Sequence, residues 1–457
     1  MSRFPASGWR RLCSRWMNRE MKRVMKSSRW QGRIRGRPLR MLAVAAVGVL
    51  AAMACGGTSG GSTTRAATGS PIKIGVLDDQ AASLAVEGAE LRVNTDLAVA
   101  QINASGGIHG HPLQAVYVDP NAQPDEALNL AQQLVQQQNV DVMLGAILSS
   151  ECLGVENLAA RLQVVYLSST GCASEDFTAK QCNKYSFRVT PSGRQGIIPL
   201  STYIVNQYGK KWAVIYSDYA FGQSQANAYN VGLTAAGGEL TKKIPIPLNE
   251  TNVTPYITQV PTDGSINGLI NAQAGADLVR SSQVITQFGL SKKMPVVGVF
   301  GKERFSGVYP DYLTGDLGQA PELSDSPSDN KFDIAYHAAF RAQLAKEPSS
   351  VSGALGGDKA VPGGLGYQAY TTMTALKLAM LQSNFSGKQD TPKLITALEN
   401  LKANQSADFP GGAFSMNKSD HQGVQTTYVA KINGQSEQVL KTIPPDQLPP
   451  IGSCQVK

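Results

Sequence analysis

Ser149 and Ser150 follow the apolar run Val140–Leu144 and open a stretch that reads as a helix. At such a junction two hydroxyls meet the free N–H groups of a helix start at the carboxyl edge of a parallel sheet, a place that suits an anionic or polar ligand group. Simple capping of the helix is the alternative use of the same residues. Enzyme signatures are missing from the sequence. Gly57-Thr-Ser-Gly-Gly61 has the form G-x-S-x-G, but no strand precedes it, so it cannot make a nucleophile elbow. There is no G-x-G-x-x-G, no P-loop and no H-E-x-x-H. His109 and His111 lie in a glycine-rich turn apart from the cysteines, and read as loop residues rather than metal ligands. The reading is therefore of a binder, with no catalysis, no cofactor and no metal.

Outside Cys13 and Cys55, four cysteines remain: Cys152, Cys172, Cys182 and Cys454. An even count suggests two disulfides in an oxidising compartment. Three connectivities are open, and Cys172–Cys182 is favoured because it brackets a short loop before a strand.

The chain has 457 residues and a net charge of +8. Residues 1–40 hold 13 Lys/Arg and one acid, and the rest carries 29 basic and 33 acidic residues. The basic character thus belongs to a leader and not to a binding surface, which excludes nucleic acid as a partner. Three of the four Trp also lie in that leader. An uncharged run, Met41–Ala54, follows the basic stretch and is short for a membrane span, so residues 1–54 read as a signal peptide. The run ends Ala52-Met53-Ala54-Cys55-Gly-Gly, which resembles a bacterial lipobox with Cys55 as the lipidated residue. Ala52 departs from the usual Leu, and Ala52-Met53-Ala54 also fits an ordinary cleavage site. The Gly/Ser/Thr-rich residues 55–71 would serve as a flexible tether and favour the anchored form.

These candidate groups need a scaffold to position them. Apolar runs near 72–79, 113–118, 140–144 and 164–168 alternate with helical patterns near 86–102, 125–134 and 151–162. That order implies a parallel sheet with right-handed crossovers. The alternation restarts after Phe187-Arg-Val-Thr-Pro-Ser192, with strands near 212–216, 240–246, 266–270 and 294–299. Residues 301–330 have no period, three helices follow, and Thr427–Ile432 is the last recognisable strand before a Pro-rich tail. The expected fold is α/β: two doubly wound, Rossmann-like lobes joined by a three-segment hinge.

Ile102-Asn-Ala-Ser-Gly-Gly-Ile-His-Gly-His-Pro-Leu113 resembles a segment of type I periplasmic solute-binding proteins, in the branch of the leucine/isoleucine/valine-binding proteins. Gly145-Ala-Ile-Leu-Ser-Ser150, Phe187–Ser192 and Asp218-Tyr-Ala-Phe-Gly222 match further segments in order, and the resemblance covers roughly residues 72–445. It implies crossings near residues 189, 318 and 407. The first lobe would then be 72–189 with 319–407, the second 190–318 with 408–445, and the tail 446–457. It implies ligand contacts at Ser149, Ser150 and Thr170, at Cys172, where amino-acid binders have a Thr, and at Phe221 on the second lobe. Tyr367 lies near another contact position, with core packing as its alternative. Phe300 stands where those binders place the acid that pairs with a ligand ammonium. An apolar ring cannot pair with a buried charge, which argues against a free branched-chain amino acid. Glu87 could supply the counter-charge from the first lobe, or sit exposed on its helix. The implied partners are a small polar organic ligand and a membrane permease with its ATPase; the alternative is a sensor of the same fold. A monomer is expected.

Overall fold

The structure is a computed structural model that describes residues 67–80, 83–298, 316–320, 330–434, 436–448, 454 and 456. The leader, Cys55 and Phe300 lie outside the described residues.

Buried parallel strands read as apolar runs because helices cover both faces, and the chain follows that pattern. It starts with β1 (Ile72–Leu77), α1 (Ala85–Ala104), β2 (Leu113–Val118), α2 (Pro124–Gln136), β3 (Val142–Gly145), α3 (Ser149–Leu162), β4 (Val165–Ser168), α4 (Asp176–Ala179) and β5 (Ser186–Arg188). A second series holds α5 (Gly193–Tyr208), β6 (Lys211–Ser217), α6 (Ala220–Ala235), β7 (Glu239–Ile246), α7 (Thr254–Ile257), β8 (Gly268–Ala272), α8 (Gly275–Gln287), α9 (Leu290–Lys293), β9 (Val296–Gly298) and β10 (Leu317–Ala320). Then come α10 (Lys331–Leu344), α11 (Ser349–Ala354), α12 (Gly364–Ser383), α13 (Thr391–Glu399), β11 (Lys402–Ala403), β12 (Phe414–Asn417), β13 (Gln422–Gln425), β14 (Thr427–Asn433) and β15 (Ser436–Ile443).

These strands form two sheets, one per lobe: β11-β12-β13-β5-β4-β3-β1-β2 and β15-β14-β10-β9-β8-β6-β7. Each contains a parallel set in the same order, β2-β1-β3-β4-β5 in the first and β7-β6-β8-β9-β10 in the second. In such an order the chain changes direction beside the first strand, and helices leave for opposite faces of the sheet there. The gap between β1 and β3, and that between β6 and β8, are therefore the switch points where open α/β sheets bind ligands. The first lobe's core wraps α1 and α12 around β1, β3 and β4; the second packs α5 and α6 on β6 and β8.

Sheet membership moves one of the expected crossings. The first passage runs through Val189–Ser192. β10 belongs to the second sheet as far as Ala320, two residues past the expected 318. β12 and β13 join the first sheet, where Gln422 pairs with Arg188, so the third passage falls at Thr426 rather than near 407. Residues 408–425 thus do not belong to the second lobe. β15 also adds an antiparallel edge beyond the strand taken as the last.

Two disulfides are present, but not in the favoured pairing. Cys172 bonds Cys152 and Cys182 bonds Cys454. Cys152 lies on the first turn of α3, directly below the loop that carries Cys172, and their Cα atoms are 6.0 Å apart. Cys182 instead holds the C-terminal tail against the first lobe.

Candidate functional site

The carboxyl ends of β1, β3, β6 and β8 converge on one interlobe cavity. Ser83, Leu84 and Leu148 line it from the first lobe, and Tyr219, Ala274 and Asp277 from the second. Its volume is ≈ 30 Å³, room for about one water, so a ligand of amino-acid size enters only when the lobes move apart. They are close here. Gly275, at φ +55°, opens α8 with its Cα facing Ser83, and a Cβ there would stand 2.6 Å from the Ser83 carbonyl oxygen. Only glycine lets the two backbones approach so near.

The first lobe buries acids behind this wall. Asp79 follows β1 and accepts from the N–H groups of Ala122 (2.9 Å) and Ile147 (3.3 Å). Glu151, on the first turn of α3, accepts from the Leu148 N–H at 3.1 Å. Burial raises both carboxyls, and the charge of Asp79 raises Glu151 further. Asp78 is pushed up to about 7 by burial, against the pull of Arg92 at 3.6 Å. Glu87 is buried on the first turn of α1, and its carboxyl oxygen lies close to the Cβ direction of Gly275; it is not exposed on its helix.

The second lobe brings rings and amides. Tyr219 packs on the first lobe's apolar core, and its ring lies 5.9 Å from Phe221. Desolvation, with the charges of Asp277, Glu87 and Glu151, drives its phenol well above the usual range. Asp277 pairs with Arg280 and accepts from the Asn249 N–H at 3.0 Å. Gln273, the residue before Ala274, is fully buried, with neither side-chain polar atom hydrogen-bonded among the described residues.

Ser149 and Ser150 are the first two residues of α3, and Leu148 occupies the capping position. Neither serine is the cap. Ser149 is 1% exposed and its hydroxyl has no hydrogen-bond partner among the described residues. The hydroxyls of Ser168 and Ser169 at the end of β4 are in the same state. Thr170 is fully buried and donates to the Leu365 carbonyl at 3.3 Å. Cys172 has its sulfur in the bond to Cys152, so no free thiol meets a ligand there. Tyr367 is buried in the first lobe's core against Tyr336, and its hydroxyl accepts from the Gly411 N–H at 3.0 Å. Phe300 lies outside the described residues.

Sequence reasoning did not find Asp79, Glu151, Gln273, Asp277 or the role of Arg188. The first four could have been flagged as polar residues just past apolar strands. Arg188, inside the segment Phe187–Ser192, is fully buried and donates to the carbonyls of Cys172 (3.0 Å) and Ser174 (2.6 Å), to the Thr178 hydroxyl (2.7 Å) and to Gln422 Oε1 (2.6 Å). It fixes the loop after β4, and with it Thr170 and Cys172. Among the described residues no cluster of three or more His, Cys, Asp or Glu could hold a metal. His109 and His111 instead meet the carbonyls of Leu381 and Ser70.

Two similar α/β lobes with polar groups facing a shared gap define a two-lobed binding protein. The periplasmic binding protein family matches residues 71–437 of the chain, which belongs to that family. It is a family of binding proteins rather than enzymes. Leu/Ile/Val-binding protein homolog 6 of Brucella abortus is 24% identical over 195 residues, 42% of this chain and 49% of that protein. The chain thus spans about half the length of the curated relatives it matches in this way. Among solved structures, a solute-binding protein of an ABC transporter from R. palustris in complex with benzoate superposes with a TM-score of 0.72 at 18% identity, covering 84% of this chain and 100% of that one. The leucine-, isoleucine-, valine-, threonine- and alanine-binding protein of Brucella ovis, in a closed conformation, gives 0.70 at 17%, covering 85% and 99%.

Proposed function

We propose that this protein is an extracytoplasmic solute-binding lipoprotein, anchored through Cys55, that captures a small polar organic ligand between its lobes and delivers it to an ABC permease and its ATPase. The observation that carries this reading is the meeting of both switch points at one interlobe gap, whose wall holds Leu148 and Ala274, the chain neighbours of the buried, unpartnered Ser149 hydroxyl and Gln273 amide. Buried polar groups are costly unless paired, and a ligand would pair them. Closure follows from population shift, because a ligand touches both lobes only when they are together. The fold neighbours are named for benzoate and for aliphatic amino acids. The described residues lining the cavity include Asp277 and no Lys or Arg. That wall has no cation for a carboxylate, and Asp277 is already paired with Arg280, so it favours uncharged polar ligands such as amides over benzoate.

A thermal-shift panel of amino acids, amides, aliphatic carboxylates and aromatic acids tests this. A ligand at about 100 times its Kd adds roughly 2.7 kcal/mol of stability. Amides are expected to raise the melting temperature, and a panel with no stabilising member would sink the reading. Strong stabilisation by leucine that survives Phe300→Ala would overturn the inference drawn from Phe300. For the anchor, Cys55→Ala should move the protein from the membrane to the soluble fraction; retention would show that Cys55 is not the anchor.

A further inference from the structure

The C-terminal tail leaves one lobe and ends on the other. β15 is the edge strand of the second sheet. Ile443, its last residue, lies in the second lobe's core, and Leu448 packs against that core after a single 3-10 turn, Pro445–Gln447. Six residues further on, Cys454 is bonded to Cys182 of the first lobe. Val456 adds a second hold there, its N–H donating to the Ser419 carbonyl at 2.9 Å. The chain thus passes between the lobes once more, after the three passages already described.

The place of attachment matters. Cys182 lies just before β5 and Ser419 just before β13, and these two strands run side by side in parallel. Their carboxyl ends lead into the first and third passages. The tail is therefore fixed to the same two strands that carry two of the hinge segments. That seat is firm. Asn183, next to Cys182, donates to the Glu156 carbonyl of α3 at 3.3 Å, and Gln181, on its other side, accepts from the Asn157 amide at 2.9 Å. Between the seat and the hinge, Gln422 accepts from Arg188 at 2.6 Å and donates to the Thr190 carbonyl at 2.6 Å. The connection is also short. The chain from Leu448 to Cys454 spans at most about 20 Å when fully extended, so the two anchors cannot part farther than that while the bond holds. Hinge segments alone permit bending and twisting of one lobe on the other, and a covalent link set apart from them removes part of that freedom.

We propose that the tail is a covalent strap: the Cys182–Cys454 bond ties the second lobe to the strands that carry the hinge, and so limits how far the lobes separate and twist. The strap acts whatever solute the gap takes, so its failure would leave the binding function untouched.

The test is the distribution of interlobe distances in the empty protein, read by pulsed electron resonance between labels on ketone-bearing residues placed at exposed Gln133 on α2 and Asn230 on α6. Cys182→Ser with Cys454→Ser should broaden that distribution roughly twofold, because a link of about 20 Å no longer caps the separation. Cys152→Ala with Cys172→Ala opens a bond inside the first lobe and should leave the width unchanged. Should the serine variant fold poorly, a specific protease sequence placed between Leu448 and Cys454 is cut after folding, which severs the strap with both disulfides intact; the cut protein should broaden to the same extent. A width equal to that of the wild type in the cut protein overturns the strap. So does equal broadening by the Cys152 and Cys172 variant, which would trace the effect to loosening of the first lobe.

Discussion

The two lobes share one strand order but face the gap with different chemistry. At its switch point the first lobe lines the gap with Ser83, Leu84 and Leu148, and behind them it buries the acids Asp79 and Glu151 and the unpartnered hydroxyls of Ser149, Ser168 and Ser169. It is also braced, because Cys152–Cys172 ties α3 to the loop after β4 and Arg188 holds the far end of that loop. The second lobe lines the gap with Tyr219, Asn249, Ala274 and Asp277, and has no disulfide among its described residues. Backbone topology thus fixes where the gap lies, and side chains divide the labour across it. On the proposed function, the first lobe would hold a preorganised polar floor and the second would close over it.

The largest test of that division is removal of the brace. Cys152→Ala with Cys172→Ala opens a link spanning 20 residues, for which the chain-entropy argument gives about 3 kcal/mol. Denaturant unfolding should show a loss of that order, and ligand affinity should fall as well, because the Thr170 loop loses its tie to α3. Unchanged affinity with lowered stability would show that the floor does not need the brace, and would erase the distinction between the lobes.

A second effect concerns Glu156, a buried acid of the first lobe outside the gap's lining. Glu156, on α3, is fully buried, and neither carboxyl oxygen has a hydrogen-bond partner among the described residues. Burial raises it from 4.5 to about 9, opposed by Arg188. The folded protein therefore holds this proton more tightly than the unfolded chain does. The stabilisation is complete below about pH 4.5 and is lost progressively as pH rises towards about 9. Glu156→Gln keeps the shape of the neutral form. It should gain several kcal/mol over the wild type at pH 8 and almost nothing at pH 4, read as melting temperature against pH. An equal shift at both values would mean that Glu156 is charged in the native state.

Much of this frame was legible in the sequence, because parallel strands buried on both faces appear as apolar runs. β3 and β4, Val-Met-Leu-Gly and Val-Tyr-Leu-Ser, are wholly buried and were found as such. β12 and β13 escaped because they are short, antiparallel and largely polar, and only pairing with β5 shows which sheet they join. The disulfides escaped for a related reason. Cys172 lies ten positions from Cys182 in sequence, but the turn after β4 folds back over α3, and closeness in space chose Cys152. The carboxyl pair was hidden too, since Asp79 and Glu151 meet only when β1 and β3 lie side by side. Ser149 was visible because a strand-to-helix junction is local.

Ser149 also gives the finest test, because its two roles have opposite signs. Its hydroxyl is buried and unpartnered in the unliganded protein, a state that costs about 1–3 kcal/mol relative to a paired group. If the hydroxyl waits for a ligand, Ser149→Ala removes that cost from the empty protein and removes a hydrogen bond from the complex. The empty variant should melt at the same temperature as the wild type or slightly above it. The ligand found in the thermal-shift panel should bind roughly fivefold to tenfold more weakly, a loss of about 1 kcal/mol. A purely structural hydroxyl moves the first quantity and leaves the second alone. Calorimetric titration beside a melting curve therefore separates a ligand contact from a packing residue in one variant, and an affinity equal to the wild type would remove Ser149 from the first lobe's polar floor.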